Sequence, residues 1–270
     1  MISKEGCVFM DRMLPMSERV PVDETLQALE YIRYERDKDA VRQYFEDVMP
    51  FSESTSIKYR RRLFERYLVL EEEQVVYTPF LEILSEIGSY QTKKEILFYM
   101  TIVKTLTLQI VLKDIYSGKL SKHFTKTELM DYLTQRMKEH KTSSVEKTLS
   151  VLTTILKDFN IISAKEDSLK NETIFVVNER LRPTNETVAF SLYYEFFVVQ
   201  DNRIPRTERL HNAETFKYLL IDRFLADRYI KWLITNNYLE FHKMGANEQY
   251  QFTCSSLDDF VKKVIENVEA

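Results

Sequence analysis

Apolar side chains recur every three or four residues through most of the first 160 residues, which is the spacing of an amphipathic helix. The pattern predicts four early helices, at about residues 23–35, 38–48, 52–70 and 78–87. The second ends before Pro50 and the fourth before Gly88, residue types that stop helices. A longer run at residues 96–112 (ILFYMTIVKTLTLQIVL) is apolar on almost every side, and it predicts one buried helix over residues 92–116.

Candidate helix starts carry the capping-box pattern, a Ser or Thr followed three residues later by Glu. The pairs are Thr92 with Glu95, Thr125 with Glu128, and Ser143 with Glu146. In this pattern each side chain bonds the backbone N–H group of the other residue, which satisfies two unpaired donors. The pairs therefore predict that helices begin at these places, the last two running to about residues 138 and 159.

The second half of the chain mixes helices with short β-branched runs. Two such runs predict a hairpin over residues 161–177, and a Lys-Met-Gly-Ala-Asn turn predicts another over residues 238–253. Residues 186–199 suit either a strand or a helix, and we favour a helix. The polar, basic segment 201–208 contains a proline and is a candidate linker. Further helices are predicted at about residues 213–221, 223–236 and 257–268.

The order helix, helix, hairpin occurs twice, and it is the order of a winged helix-turn-helix. In both copies an asparagine, Asn160 or Asn237, lies where the second helix must turn into a strand, and asparagine tolerates the left-handed backbone. We predict a mainly α fold, a helical bundle with helix-turn-helix or winged-helix units and two short β-hairpins. The predicted parts are an N-terminal helical domain (residues 1–120), a winged-helix-like unit (121–200) and a C-terminal winged-helix-like extension (201–270).

The amino-acid composition excludes several classes of functional site. It has 270 residues but four glycines, none near another, which excludes the phosphate-cradling loops of Walker-A and dinucleotide sites. Two cysteines and four histidines stand apart without metal-ligand spacing, and two lone thiols favour the reduced cytoplasm. The acidic run Glu71-Glu72-Glu73 has no partner at a spacing that suggests acid–base catalysis. We expect no enzymatic activity, no cofactor and no metal.

The apolar run at residues 96–112 is also at the lower limit of a membrane span. Lys104 and Gln109 lie inside it, and a lysine near the bilayer centre costs about 2.5–3.5 kcal/mol. We therefore expect a buried helix and no membrane contact. The N-terminal residues also lack the apolar core of an export signal, which agrees with a cytoplasmic protein.

The net charge is −4, so a nucleic-acid site would depend on a local patch. The second helix of each helix–helix–hairpin copy is close to neutral, but the helix at residues 52–70 is basic. Its cations are Lys58, Arg60, Arg61, Arg62 and Arg66, against Glu53 and Glu65. Helical spacing places most of these cations on one face, so we expect them to bind DNA phosphates, with Arg60 peripheral. The alternative is a solvated face with ion pairs along the helix.

A second basic cluster lies on the candidate linker. Its members are Arg203, Arg206 and Arg209. We favour an ordinary solvated linker, and the alternative is a secondary contact with the DNA backbone.

Several segments in order along the chain resemble the BrxA family, accessory proteins of BREX phage-defence systems. LPMSERV (residues 14–20) is similar to the family's N-terminal Leu-Leu-x-x-x-Ser-Arg segment, and ESTSIKYRRRL (53–63) to its Ser-rich entry to an arginine-bearing helix. YMTIVK (99–104) with LKDI (112–115) resembles its central hydrophobic helix. SSVEK (143–147) with ILKDFNII (155–162) resembles a later segment. The likeness covers roughly residues 12–195.

The resemblance implies a small, mainly helical, non-enzymatic protein that binds double-stranded DNA and supports a larger defence machine, whose other proteins are candidate partners. The alternative is a protein-interaction scaffold whose winged-helix units dock partner proteins, which the net charge of −4 favours. Measuring duplex binding across a salt series would separate the two, because phosphate contacts weaken steeply as salt rises.

Overall fold

The structure is a computed structural model that describes residues 13–48, 52–167, 172–245 and 247–269. Helices make up 59% of it, and the strands form antiparallel sheets of two or three strands. The predicted mainly α fold with short hairpins is therefore confirmed. The winged-helix interpretation of the helix–helix–hairpin copies stays a prediction.

Short strands alternate with groups of helices along the chain. The helices are α1 (Val22–Tyr31), α2 (Lys38–Val48), α3 (Glu53–Tyr67), α4 (Pro79–Glu86), α5 (Tyr90–Val103), α6 (Leu106–Tyr116), α7 (Lys126–Arg136), α8 (Thr142–Asp158), α9 (Asn185–Tyr193), a π-helix (Tyr194–Val199), α10 (Thr207–His211), α11 (Glu214–Tyr218), α12 (Arg223–Thr235) and α13 (Leu257–Glu269). The strands are β1 (Leu70–Glu71), β2 (Gln74–Val75), β3 (His123–Thr125), β4 (Ile162–Asp167), β5 (Glu172–Val177), β6 (Leu239–Met244) and β7 (Asn247–Phe252).

The chain divides into two compact units, and each consists of two separate stretches of sequence. Unit 1 comprises Met1–Arg19 and Thr105–Arg180, and unit 2 comprises Val20–Lys104 and Leu181–Ala270. The domain boundaries predicted near residues 120 and 200 do not coincide with the unit borders, which follow Arg19, Lys104 and Arg180.

Unit 2 joins its two stretches through a shared helical core. α5 packs against α9, and α4 packs against α13, so each stretch covers apolar faces of the other. Tyr193 lies in this core: its ring stacks on Phe260 at 4.1 Å and meets Phe252 edge-on at 4.7 Å. Its hydroxyl donates to the carbonyl oxygen of Tyr238 at 2.6 Å, which satisfies the polar end of the buried ring.

Unit 1 packs α7 and α8 on a three-stranded sheet of order β3-β5-β4. An extended N-terminal segment completes it. The Thr107 hydroxyl of α6 accepts from the backbone N–H of Leu14 at 3.2 Å and donates to its carbonyl at 2.6 Å. The Thr148 hydroxyl of α8 accepts from the N–H of Met16 at 3.0 Å. The hydroxyls of two threonines thus bind the backbone of a segment that is not hydrogen-bonded to a β-strand.

The single helix predicted over residues 92–116 is wrong, because the structure has α5 and α6 in its place. Between them Thr105 adopts an extended backbone (φ −135°, ψ 94°) as the N-cap of α6. The break exposes Lys104, whose ammonium group a continuous buried helix would have desolvated. The β-branched run at residues 101–103 further weakens the helix there.

Within the described residues, no single helix has both the length and the apolar composition needed to cross a membrane. Only α5 and α6 counted together, as one broken span, meet those two criteria. Burial accounts for the composition of α5, because residues 95–102 are all buried inside the protein.

The predicted capping boxes have different outcomes. The pair Thr125 and Glu128 is confirmed: the N–H of Glu128 donates to the Thr125 hydroxyl at 3.1 Å, and the N–H of Thr125 donates to the Glu128 carboxylate at 2.7 Å. The other two boxes are wrong, because Ser89 is the N-cap of α5 and Lys141 precedes α8 without a side-chain cap. The residue pattern alone does not fix which turn begins the helix.

Glu95 caps a different helix. Its carboxylate accepts from the N–H of Thr184 at 2.8 Å and from the hydroxyls of Thr184 and Thr187 at 3.1 and 2.9 Å. The amide of Gln91 donates to its other oxygen at 2.7 Å. The carboxylate therefore ties α5 to the N-terminus of α9, 89 residues away in sequence.

The left-handed backbone predicted for two asparagines is present, with φ of 59° at Asn160 and 57° at Asn237. At both, the N–H of the next residue bonds the carbonyl five positions earlier at 2.8 Å, which is the bond of a Schellman motif. α11 ends in the same way at Leu220, with φ of 53°.

Candidate nucleic-acid interface

Helix α3 packs against the rest of unit 2 through one apolar side. Leu63 and Tyr67 are buried there, and the Tyr67 hydroxyl lies 2.6 Å from the Thr101 hydroxyl of α5. Burial raises the pKa of Tyr67, so the phenol stays neutral. This packing fixes which side of α3 faces solvent.

The predicted cations of α3 lie in different environments. Lys58 is exposed, and the Arg61 side chain is 61% exposed. Arg62 is less exposed, at 29%, and Arg66 is half-buried. The structure therefore brings Lys58, Arg61 and part of Arg62 to one solvent-facing side, as the helical spacing predicts.

Glu65 interrupts this basic side. Its carboxylate lies 3.4 Å from the Arg61 guanidinium and accepts from Arg62 at 2.6 Å. These are ion pairs along the helix, of the kind that the alternative of a solvated face predicts. A phosphate would compete with one carboxylate for both arginines, whereas Lys58 has no ion-pair partner among the described residues.

Arg60 and Arg66 point to partners inside unit 2. The Arg60 side chain is 18% exposed and pairs with Glu46 of α2. Burial lowers the pKa of Arg60, and the neighbouring charge of Arg42 lowers it further. The Arg66 guanidinium interacts with the hydroxyl of Tyr67. Arg60 therefore helps to hold α3 against α2, which the sequence pattern does not reveal, whereas the partner of Arg66 lies on α3 itself.

The second predicted cluster lies on a segment that is not free. The N–H of Phe252 donates to the Arg203 carbonyl at 3.2 Å, and the N–H of Tyr250 donates to the Pro205 carbonyl at 3.0 Å. These bonds place residues 203–206 along β7, so the candidate linker is part of unit 2. Arg203, Arg206 and Arg209 are all exposed.

Local contacts hold two of these arginines. The Arg203 guanidinium lies 5.1 Å from the centre of the Phe197 ring, and Arg209 donates to the side-chain oxygen of Gln200 at 2.9 Å. Neither contact neutralises the charge, so all three arginines stay available to an anion.

The second helices of the helix–helix–hairpin copies carry mixed charge on their exposed faces. α8 exposes Glu146, Lys147 and Lys157, and α12 exposes Arg223, Arg228 and Lys231 beside the half-exposed Asp227. Asp222, the exposed N-cap of α12, adds a second acid there. Each face therefore combines cations with acids, which weakens its attraction for the phosphate-rich surface of DNA.

A groove of about 670 Å³ lies in unit 1, and the sequence pattern does not reveal it. Lys126, at the start of α7, and Glu146 and Lys157, on α8, line it together with Phe175 of β5. Its residues come from separate parts of the sequence, so only the packing of α7, α8 and β5 brings them together. Within the described residues, no group of three or more His, Cys, Asp or Glu side chains could hold a metal ion.

Two solved structures align with this chain. The SspB crystal structure aligns with a TM-score of 0.51 and 11% sequence identity, covering 94% of this chain and 88% of that chain. Magnesium ion-bound SspB aligns with a TM-score of 0.49 and 8% identity over the same shares. At such identities the first likeness concerns the fold alone. No family model and no curated protein sequence matches the chain.

Proposed function

We propose that this chain is a non-enzymatic accessory protein of a BREX-type phage-defence system in the cytoplasm, and that it binds double-stranded DNA mainly through phosphate contacts. The observation that carries the proposal is the exposed basic side of α3, where Lys58 and Arg61 face solvent three residues apart. Residues three apart are neighbours on a helix surface, so both cations can approach one phosphate strand. The BrxA-like segments support the assignment to a defence system.

Glu65 sets the expected strength of this contact. In the free protein it neutralises part of the charge on Arg61 and Arg62, and a bound phosphate would replace it as the partner of these arginines. Phosphate contacts carry little sequence information, so we expect weak binding with broad sequence preference.

The first test removes single cations. Lys58→Ala and Arg61→Ala should each weaken binding to every duplex and reduce the slope of log affinity against log salt by about one. Fluorescence anisotropy of a labelled duplex at several salt concentrations measures both quantities. The matched control is Lys262→Ala, which removes an exposed cation from α13 beside the acidic Asp258 and Asp259 and should change neither.

Glu65→Gln is the opposite change in the same experiment. It weakens the pairing of Arg61 and Arg62 with residue 65 and removes a charge that repels phosphate, so affinity should rise and the salt slope should steepen. If the alanine variants and Glu65→Gln all bind DNA like the parent, α3 is a solvated face and the proposal fails.

The alternative function, a protein-interaction scaffold, is favoured by a different observation. The second helix–helix–hairpin copy exposes large apolar side chains, with Phe224 at 73%, Phe241 at 44% and Met244 at 77% exposure. Exposed apolar side chains of this size mark protein-docking surfaces more often than phosphate contacts. A scaffold would show no duplex binding even at low salt, so the same titration separates the two functions.

A further inference from the structure

The groove of unit 1 has the size of a small-molecule site, and polar side chains surround three apolar ones in its lining. Its volume of about 670 Å³ lies within the usual range for ligand pockets. The floor is apolar: Leu149 and Phe175 are buried, and Met130 is half-buried beside them. An apolar floor of this kind can hold the body of an organic ligand.

The rim of the groove is charged. Lys126, Lys157 and Glu146 all line it and are exposed, and none has an ion-pair partner among the described residues. The Lys157 ammonium lies 5.2 Å from the centre of the Phe175 ring, so this cation is held over the apolar floor. Hydroxyls of Thr127, Ser150 and Thr173 add neutral donors to the lining.

This arrangement selects the charge of the ligand. Two lysines against one glutamate give the rim a positive balance, which favours an anion over a cation, although Glu146 opposes part of this attraction. An anion pairs with the lysines while its body covers the apolar floor. We propose that the groove binds a small organic anion, a phosphate or carboxylate group carried on an apolar body. This proposal does not rest on DNA binding by α3.

A fluorescent probe pair tests the proposal on the full chain. 1-Anilinonaphthalene-8-sulfonate carries an anionic group on an apolar body, and N-phenyl-1-naphthylamine has the same body without the charge. Replacing both rim lysines, Lys126→Met with Lys157→Met, keeps the apolar stems but removes the charges. The affinity of the anionic probe should fall by about tenfold, because partly exposed charge pairs are individually modest. The affinity of the neutral probe should stay the same.

Two further variants keep the test specific to the groove. Lys147→Met removes an exposed cation of α8 that does not line the groove, and it should leave the affinity for both probes unchanged. Ser150→Phe fills the groove, so both probes should lose this site. Far-ultraviolet circular dichroism confirms that each variant is folded. If the double lysine variant binds the anionic probe like the parent, or if Ser150→Phe does not affect either probe, the proposal is overturned.

Competition identifies the anionic group. Adenosine 5′-monophosphate presents a phosphate on a flat body, and octanoate presents a carboxylate on an alkyl chain. Displacement of the anionic probe by either compound supports the proposal and assigns the ligand class. Adenosine and octanol are the uncharged controls and should not displace it. If neither anion displaces the probe, the proposal is wrong.

Discussion

At the scale of single residues, three of the helix ends with a left-handed backbone differ in the residue type that adopts it. Asn160 and Asn237 were predictable, because asparagine is a residue type that tolerates positive φ. Leu220 was not, because leucine has no preference for this conformation and only its surroundings hold it there. A residue type therefore indicates a left-handed backbone position only when that type tolerates the conformation, as asparagine does and leucine does not.

Asn237→Ala should lower the free energy of unfolding by about 1 kcal/mol, because a Cβ without a local polar partner disfavours φ of 57°. Asn237→Gly should leave it nearly unchanged, since glycine adopts this backbone freely. Urea denaturation measures both values. The control is Lys231→Ala, at an exposed helical position of α12, which should change stability by less than about 0.5 kcal/mol. Equal losses for both alanine variants would contradict the assignment.

The basic side of α3 shows the limit of spacing as a guide to a site. Helical periodicity places Lys58 and Arg61 on the solvent side, as the structure does. It does not reveal that Arg60 pairs with Glu46, because that pair joins two helices. Ion pairs between elements depend on tertiary packing, which a single sequence does not display.

At the scale of elements, two buried carboxylates act as caps for helices that are distant in sequence. Glu95 binds the start of α9, and Glu195, in the π-helix, accepts from the N–H groups of Glu214 and Thr215 at 3.0 and 2.8 Å at the start of α11. In the sequence Glu95 fits a local capping box and Glu195 fits an aromatic helix. Their partners come from elsewhere in unit 2, so the pattern could not identify these roles.

The cap at Glu195 predicts a pH dependence of stability. Burial raises the pKa of Glu195 above its usual 4.5, although hydrogen bonds from Thr215 and Glu214 offset part of the rise. The folded state therefore holds this proton to higher pH than the unfolded state. The resulting stabilisation is complete below pH 4.5 and is lost as pH rises through the folded pKa.

Glu195→Gln removes this titration, so the stability of the parent minus that of the variant should fall between pH 4 and pH 7. The fall should be about 1.4 kcal/mol for each unit by which the folded pKa exceeds the unfolded one. Urea denaturation of both proteins at each pH measures it, and the other titrating groups cancel in the difference. A difference that is constant or grows with pH would contradict the predicted direction.

At the scale of the whole molecule, the sequence predicts most elements but not their grouping. The positions of two hairpins and of most helices follow from local apolar periodicity, whereas β1, β2 and β3 lie outside the predicted strands. The grouping of these helices into two units, each of two stretches, does not follow from periodicity. Periodicity shows which face of a helix is apolar, but it does not show which other helix covers that face. The predicted boundaries near residues 120 and 200 assumed that each domain is one continuous stretch of sequence.

The grouping predicts that residues 20–104 and 181–270, expressed as two separate chains, associate into one folded complex. The reason is that α5 packs against α9 and α4 against α13, so neither chain can bury its apolar faces alone. Affinity purification through a tag on one chain should recover the other. The control pair carries Leu97→Asp, which places a charge at a fully buried position of α5 and should prevent recovery. Two chains that fold and purify independently would refute the grouping.

The division into interleaved stretches also sets an order of events during translation. Unit 1 has all its residues once Arg180 has left the ribosome, whereas α4 must wait for α13, whose first residue follows about 170 positions later. At usual elongation rates that wait is roughly 10 to 30 s. During it, the faces of α4 and α5 that α13 and α9 later cover lack these partners, so the nascent chain is exposed to chaperones and proteases until α13 emerges.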